Sequence, residues 1–413
     1  MKLNHIYKSI ACGVLLAMTA TSCDLDYNPV DTYSDVTEGV NKTDEKPIFN
    51  SVQDVETSMV TLHKKFRDQQ EHWYVDKLLI GDAHSDNAYA GTTGAEVVPY
   101  ETNSIEGSNS VLKRDWDRFL GDIAVANRII VGCDQLKALS ESERGKYQSQ
   151  AKIFRAMVMF DMVRLWGNFP VITTVGGDIT EDNVEEMYPT YFPPQNTAEE
   201  AYAQIEKDLT EAVENPNTPT NDTSDKSILT KSVARAMLAK VYAEKPLRDY
   251  AKVIKYADEL AADGFDLVED FSDLWAYDTE KKDCRVRNTK EAILEAHFPP
   301  GSGNWCTWMF GRNLSNWDES FTWAKWITPS RDLIRLYEEQ GDTKRYNESV
   351  VWYDCGWSNY YPADHYAFMY KCRSAFNSII YLRYADILLL KAEAKIMAVS
   401  YTHLRAHETR HDL

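Results

Sequence analysis

The chain has 413 residues, 26% of them charged and 44% hydrophobic, with 64 acidic against 45 basic side chains and a net charge of −19. That balance argues against nucleic acid or an anionic membrane surface as a partner, since both need a basic face. The 24 Tyr and 11 Trp exceed what a core requires, so part of them should line a binding surface.

Residues 1–22 read as a signal peptide. Lys2 and Lys8 form a basic start, and residues 10–18 a short apolar run, too short to span a bilayer. Ala20-Thr21-Ser22 then leads into Cys23, which resembles a lipobox with Cys23 as the lipidated residue. A multiply acylated cysteine holds a protein to a membrane better than one chain would. Residues 23–46 are polar, acidic and aperiodic, the composition of a flexible tether.

The remaining body, residues 47–398, is long enough for a large core, and its clear elements are helices. Leu112, Trp116, Phe119, Ile123, Ala126, Ile130 and Cys133 form one apolar stripe. Asn127 flanks it and, if buried, must find a backbone partner. Ala151, Phe154, Val158, Met162 and Leu165 line a second helix, with Lys152, Asp161 and Arg164 off that face; Gly167 and Pro170 mark its end. Thr197 with Glu200 is a capping box for a third, striped by Tyr202, Ile205, Leu209 and Ala212. An Ala-rich helix over 230–242 and another from Tyr250 to a stop at Gly264 together have the length of one tetratricopeptide-like pair. A shorter helix starts near Ser330 and ends at Gly341, and a last one covers 382–397. Residues 264–326 lack regular pattern and are rich in Trp, Pro and Gly; such a long irregular stretch is usually functional or disordered, and the high aromatic content argues against disorder. Residues 399–413, with three His and two Arg, form no closing element and read as a non-native tail on a gene cut near Ala398.

Once Cys12 is removed and Cys23 lipidated, five cysteines remain without metal-site or disulfide-framework spacing, although one or two disulfides are compatible with them. Arg155 faces the core and needs a carboxylate; Arg383 and Asp386 read as structural ion-pair members. Asp82, Asp86 and Asn87 offer too few oxygens for calcium and suit turns instead. The one HExxH match, His407-Glu408-Thr409-Arg410-His411, falls in the tail read as non-native; the chain contains no GxSxG or Walker loop, and neither metal nor cofactor is expected. Trp305, Trp308, Trp317 and Trp323 crowd one loop with Phe310, Phe321, Asn304, Arg312, Asn313 and Asn316. Aromatic planes match the C–H face of a sugar ring, and the polar side chains suit its hydroxyls. The alternative is that these tryptophans only pack the non-helical layer.

Several segments together resemble the SusD/RagB family. These are Gly81-Asp82 through Asp86-Asn87; Trp116 to Ala126-Asn127; Ala151 to Arg155-Ala156, running on to Trp166-Gly167-Asn168-Phe169-Pro170; Ile205 with Asp208-Leu209 and Ala212; and Arg383-Tyr384-Ala385-Asp386 through Ala392-Glu393-Ala394. Acidic residues behind Cys23 resemble the surface-export signal of Bacteroidetes lipoproteins. The resemblance implies a mainly α, SusD-like helical scaffold with tetratricopeptide-like helix pairs and an irregular, loop-rich ligand face. It implies a lipid-anchored, non-catalytic protein at the outer-membrane surface that delivers oligosaccharides to a SusC-like TonB-dependent transporter. A peptide-binding RagB-like role is the alternative, and a glycoside hydrolase a more distant one. Family ligand contacts would come from the Trp loop and from the segment Tyr89 to Tyr100. The candidate glycan contacts are therefore Tyr89, Tyr100, Trp305, Trp308, Arg312, Asn313, Trp317 and Trp323. Family members continue past the last helix, so the C-terminal part of the fold is expected to be missing.

Overall fold

The computed structural model describes residues 47–91, 94–177, 184–278, 280, 283–298, 303–311, 325–371 and 373–411. The fold is carried by the unit Ile48–Leu413. In chain order it comprises α1 (Val52–Asp68), a π turn (Glu71–Val75), α2 (Asp76–Ala83), β1 (Ala88–Ala90), α3 (Val98–Glu101), α4 (Ser110–Gln135), α5 (Glu141–Trp166), α6 (Val184–Tyr191), α7 (Ala198–Glu214), α8 (Lys231–Ala243) and α9 (Tyr250–Ala262). There follow a 3₁₀ turn (Phe271–Leu274), β2 (Tyr277–Asp278), β3 (Asp283–Cys284), β4 (Ala292–Ala296), α10 (Cys306–Met309), β5 (Ile327–Pro329), α11 (Arg331–Gln340), α12 (Thr343–Ser349), β6 (Val350–Tyr353), β7 (Tyr366–Met369), β8 (Ile379–Arg383) and α13 (Tyr384–His411).

The long helices pack as a chain of neighbours: α1 on α4, α4 on α5, α5 on α7, α7 on α8, α8 on α9, and α13 across both α8 and α9. The protein is mainly α, as the periodicity indicates. The capping box Thr197/Glu200 forms at α7, and Thr230 and Ser330 cap α8 and α11. Helix α5 ends at Gly167, whose φ of 73° is a left-handed value that a β-carbon disfavours.

Three expectations need correction. Helix α5 has no solvent face over most of its length: Asp161 is buried, where it accepts from Lys77 Nζ at 2.8 Å and the Tyr381 hydroxyl at 2.9 Å. A helix packed on all sides carries polar residues inward when partners meet them. In the first half of α4 the buried positions are Val111, Asp115, Phe119 and Asp122, while Leu112 and Trp116 are only half-buried. The stripe turns because Asp122 takes the His72 ring at 2.8 Å, the Trp73 indole at 3.0 Å and Lys65 at 2.9 Å. Finally, 382–383 are not helical. The β-branched and aromatic run Ile379–Arg383 pairs antiparallel with β4, itself buried at every position, and the helix starts at Tyr384 and continues to His411.

The stretch 264–326 is thus less irregular than its composition suggests, since β4 and α10 lie in it. Two-stranded pairs β1–β5, β2–β3, β4–β8 and β6–β7 complete the non-helical layer. One apolar core runs through the helices. A second, aromatic-rich core surrounds β6 and β7. Cys133 and Cys284 are thiols, and burial pushes the latter up to about 11.

Candidate functional site

Strand β1 runs antiparallel to β5, with Tyr89 opposite Thr328. The pairing extends one residue further, because the Gly91 N–H donates to the Trp326 carbonyl at 2.9 Å. Only glycine fits there: a Cβ on Gly91 would collide with the Lys325 carbonyl. This close approach brings the chain after β1 against the end of the Trp-rich loop. The two segments expected to contact ligand are therefore neighbours.

The ring of Tyr89 stacks on Tyr360, with centroids 4.6 Å apart and planes 12° apart. Its hydroxyl accepts from the Arg331 backbone N–H at 3.1 Å. The Arg331 guanidinium lies 4.8 Å from the Tyr361 ring centre and 5.9 Å from that of Tyr89, and it donates to the Tyr360 carbonyl. Arg331 can occupy this position because it is the first residue of α11, directly after the cap Ser330. Glu101 fixes the other edge, accepting from the Ala90 N–H at 2.6 Å and from the Tyr360 hydroxyl at 2.8 Å. Burial, reinforced by that carboxylate, pushes the Tyr360 phenol well above its usual range, so it stays a neutral donor. Tyr361 is anchored through its hydroxyl to the Pro329 carbonyl at 2.7 Å. Next to this group, Trp352 stacks on the exposed His365 at 4.3 Å and 4°, and its indole donates to the Tyr346 hydroxyl at 2.8 Å.

Of the expected contacts, Tyr89 is half-buried with its ring engaged on Tyr360. Trp308 is 42% exposed. Trp305 is half-buried against the main core, with its backbone N–H held by Gln70 Oε1 at 2.7 Å. Tyr100 requires correction: it has no exposed surface, and its hydroxyl donates to Asn109 Oδ1 at 3.3 Å. A ring without a free face offers no stacking plane, so Tyr100 is a core residue that holds α3 against the start of α4. Arg312, Asn313, Trp317, Trp323 and Cys23 lie outside the described residues. Asn304, a candidate hydroxyl partner, is buried and spends its amide on the Ser374 and Asn377 carbonyls at 2.9 and 2.8 Å.

Sequence reasoning missed Arg331, Trp352, Tyr360 and Tyr361. The signal was available as aromatic density over 352–370, but no spacing singled out which rings stack. The ion-pair expectation holds for Arg155, and Arg383 and Asp386 are ion-paired too, although not from one helix, since Arg383 lies on β8. Arg155 is buried and donates to both oxygens of Asp208 at 2.8 and 2.7 Å and to Asn127 Oδ1 at 2.7 Å. Asn127 in turn donates to the Ile172 and Thr174 carbonyls at 3.0 and 3.2 Å. Arg383 pairs with Glu291 at 3.1 Å and Asp386 with Lys240. The turn of the Gly81-Asp82 segment uses main chain, with Ser85 donating to the Asp82 carbonyl and Ser330 to that of Asn87.

Comparison with known proteins agrees with this architecture. The SusD-like family, described as "starch-binding associating with outer membrane", matches residues 32–243, just over half of the chain. A SusD-like protein of Bacteroides ovatus is 25% identical over 309 residues, 72% of this chain and 50% of the relative. The chain thus spans about half the length of the curated relative it matches. Among solved structures, a laminarin-binding SusD-like protein has a TM-score of 0.65 at 19% identity, over 84% of this chain and 80% of the other. A surface glycan-binding protein A from Bacteroides thetaiotaomicron, in complex with laminarihexaose, has a TM-score of 0.64 at 14% identity, over 84% and 79%. These likenesses establish a shared helical fold, and together with the family match they show that the chain belongs to the SusD-like family.

Proposed function

We propose that this chain is a non-catalytic cell-surface lipoprotein that binds an oligosaccharide and delivers it to a SusC-like TonB-dependent transporter in the outer membrane. Lipid on Cys23 would anchor it, with residues 23–46 as the tether. The observation that carries the reading is the Tyr89–Tyr360 stack beside Arg331, adjoining the loop that holds Trp305 and Trp308. Rigid aromatic planes supply apolar area at low entropic cost, and the guanidinium and backbone groups at their edges suit sugar hydroxyls. The nearby carboxylate, Glu101, is committed to holding the Tyr360 ring and the β1 backbone, which suits binding rather than acid–base chemistry. The family's outer-membrane description and the glycan-binding names of its structural relatives support the same reading.

Affinity electrophoresis of the chain from Asp24 onward through gels containing neutral polysaccharides tests it. The expected result is retardation by at least one glycan, weakened by about two- to tenfold in Trp308→Ala or Tyr360→Ala, as the loss of an aromatic contact worth about 0.5–1.5 kcal/mol implies. Retention of peptide mixtures without any glycan retardation would select the peptide-binding alternative.

A further inference from the structure

Between the end of α5 and the start of α7 the chain makes a long excursion. Phe169 and Asn196 pair at its base: the Asn196 N–H donates to the Phe169 carbonyl at 3.0 Å, and the Asn196 side chain accepts from the Val171 N–H at 2.9 Å. Helix α6 lies within the excursion. Its inner side packs on the incoming chain, with Met187 against Gly177 and the Tyr191 hydroxyl donating to the Gly177 carbonyl at 2.7 Å.

The outer side carries an apolar stripe. Val184, Tyr188, Tyr191 and Phe192 fall at i, i+4, i+7 and i+8, the spacing of a helix face that is normally buried. The Phe192 N–H donates to the Tyr188 carbonyl at 3.0 Å, so Phe192 continues the helical turn. Yet the four are 42, 56, 49 and 67% exposed, in that order. The Tyr188 and Phe192 rings lie side by side, with centroids 4.8 Å apart. A soluble surface rarely gathers large apolar groups in one patch unless a partner covers it.

Charge narrows the partner. From Pro170 to Gln195 the sequence holds Asp178, Glu181, Asp182, Glu185 and Glu186 and no Lys, Arg or His. A second copy of the chain would bring the same acidic run against itself in a symmetric contact. Helices that lie on membranes carry Lys and Arg beside the apolar stripe to meet anionic lipid; this one carries the exposed Glu185. Val184 and Phe192, the two ends of the stripe, bring no hydrogen-bonding group for sugar hydroxyls. The spacing instead matches an amphipathic helix that lays its i, i+4 and i+7 anchors into an apolar groove of another protein, where basic side chains at the rim would meet the acidic run. We propose that α6 is a docking helix whose partner is a protein with an apolar groove rimmed by Lys and Arg. The proposal does not depend on the glycan surface around Tyr360.

Photo-crosslinking on cells that carry the full chain tests it. With p-benzoylphenylalanine in place of Tyr188, the adduct formed on illumination is digested and mapped by mass spectrometry; the same amino acid at the exposed Lys255 of α9 is the control. The proposal expects a protein adduct, absent from the control, whose mapped peptide holds apolar residues beside Lys or Arg. Its yield should fall about tenfold in Phe192→Ala, as the loss of a central apolar anchor implies, and should also fall in Glu185→Lys and with added salt. Circular dichroism confirms that the variants are folded, and glycan retardation of Phe192→Ala should equal that of the parent. No adduct, an adduct with lipid, glycan or a second copy, one that the Lys255 control gives equally, or one that Phe192→Ala and Glu185→Lys leave unchanged overturns the proposal. An adduct of the expected kind in a protein that no polysaccharide retards supports the docking helix while the glycan reading fails.

Discussion

At Arg155 the buried charge is fully engaged, by Asp208 on α7 and Asn127 on α4. One side chain thus ties three consecutive scaffold helices, and removing a single partner would strand an ion in the core. Asp115 is the opposite case. It is buried on α4 beside Asp76, and burial and the second carboxylate push its carboxyl up to about 9, with Arg114 and Arg118 only partly offsetting them. An unfolded carboxylate titrates near 4. A group raised in the folded state stabilises fully below its unfolded value, and that contribution is lost as pH rises through the folded one. Stability should therefore decline between about pH 4 and pH 9, since the folded protein must keep a proton on Asp115 that the unfolded chain releases. Asp115→Asn retains a donor toward Asp76 without titrating. Urea unfolding is expected to find it more stable than the parent at pH 8, on the order of a few kcal/mol, and close to the parent at pH 4. An unchanged difference across that range would mean that Asp115 is ionised in the fold.

The elements differ in how far their own residues specify them. Helix α11 is held at its start by Ser330, whose hydroxyl accepts from the Leu333 N–H at 3.0 Å and donates to the Asp86 carbonyl. One residue caps the helix and fastens it to the chain entering β1, so it also sets where Arg331 meets Tyr89. Ser330→Ala is expected to lower stability by about 1 kcal/mol and, by loosening Arg331, to weaken glycan retardation more than a cap loss at the distant Thr197 does. Comparing Ser330→Ala with Thr197→Ala by thermal melting and gel retardation separates the two effects. The cap Thr197 with Glu200 was legible in the sequence because its partners lie within one turn. Stripes such as Tyr202 to Ala212 were legible for the same local reason. The strands were not. Ile379–Arg383 reads equally well as the opening of a helix, and its strand identity depends on β4, far away in sequence. Asp161 and Asp122 face inward because Lys77, Tyr381, His72 and Trp73 meet them there, partners that no periodicity displays. At the site, the tryptophan cluster was visible as composition. The Tyr89–Tyr360 stack joins β1 to a loop after β6, and it needed the fold.

At the scale of the whole molecule, the proposed ligand class can be tested against charge. The helices stack as successive neighbours, and the proposed recognition surface lies in the non-helical layer. The chain as a whole carries a net charge of −19, which disfavours polyanions, with the repulsion screened over roughly a Debye length, about 8 Å at physiological ionic strength. On the proposed reading, stacking of a neutral sugar on Tyr360 or Trp308 would depend little on net charge, because the ring would be recognised by apolar contact and short hydrogen bonds. Retardation by a neutral polysaccharide is therefore expected to stay within about twofold between 0.05 and 0.5 M NaCl, since screening acts on charge–charge terms alone. Sulfated or uronic-acid polysaccharides should give no retardation at the low-salt end, where repulsion is strongest. Retardation by a polyanion that fades with added salt would instead assign recognition to the basic side chains, with Arg331 as a charge partner rather than an edge to an aromatic platform.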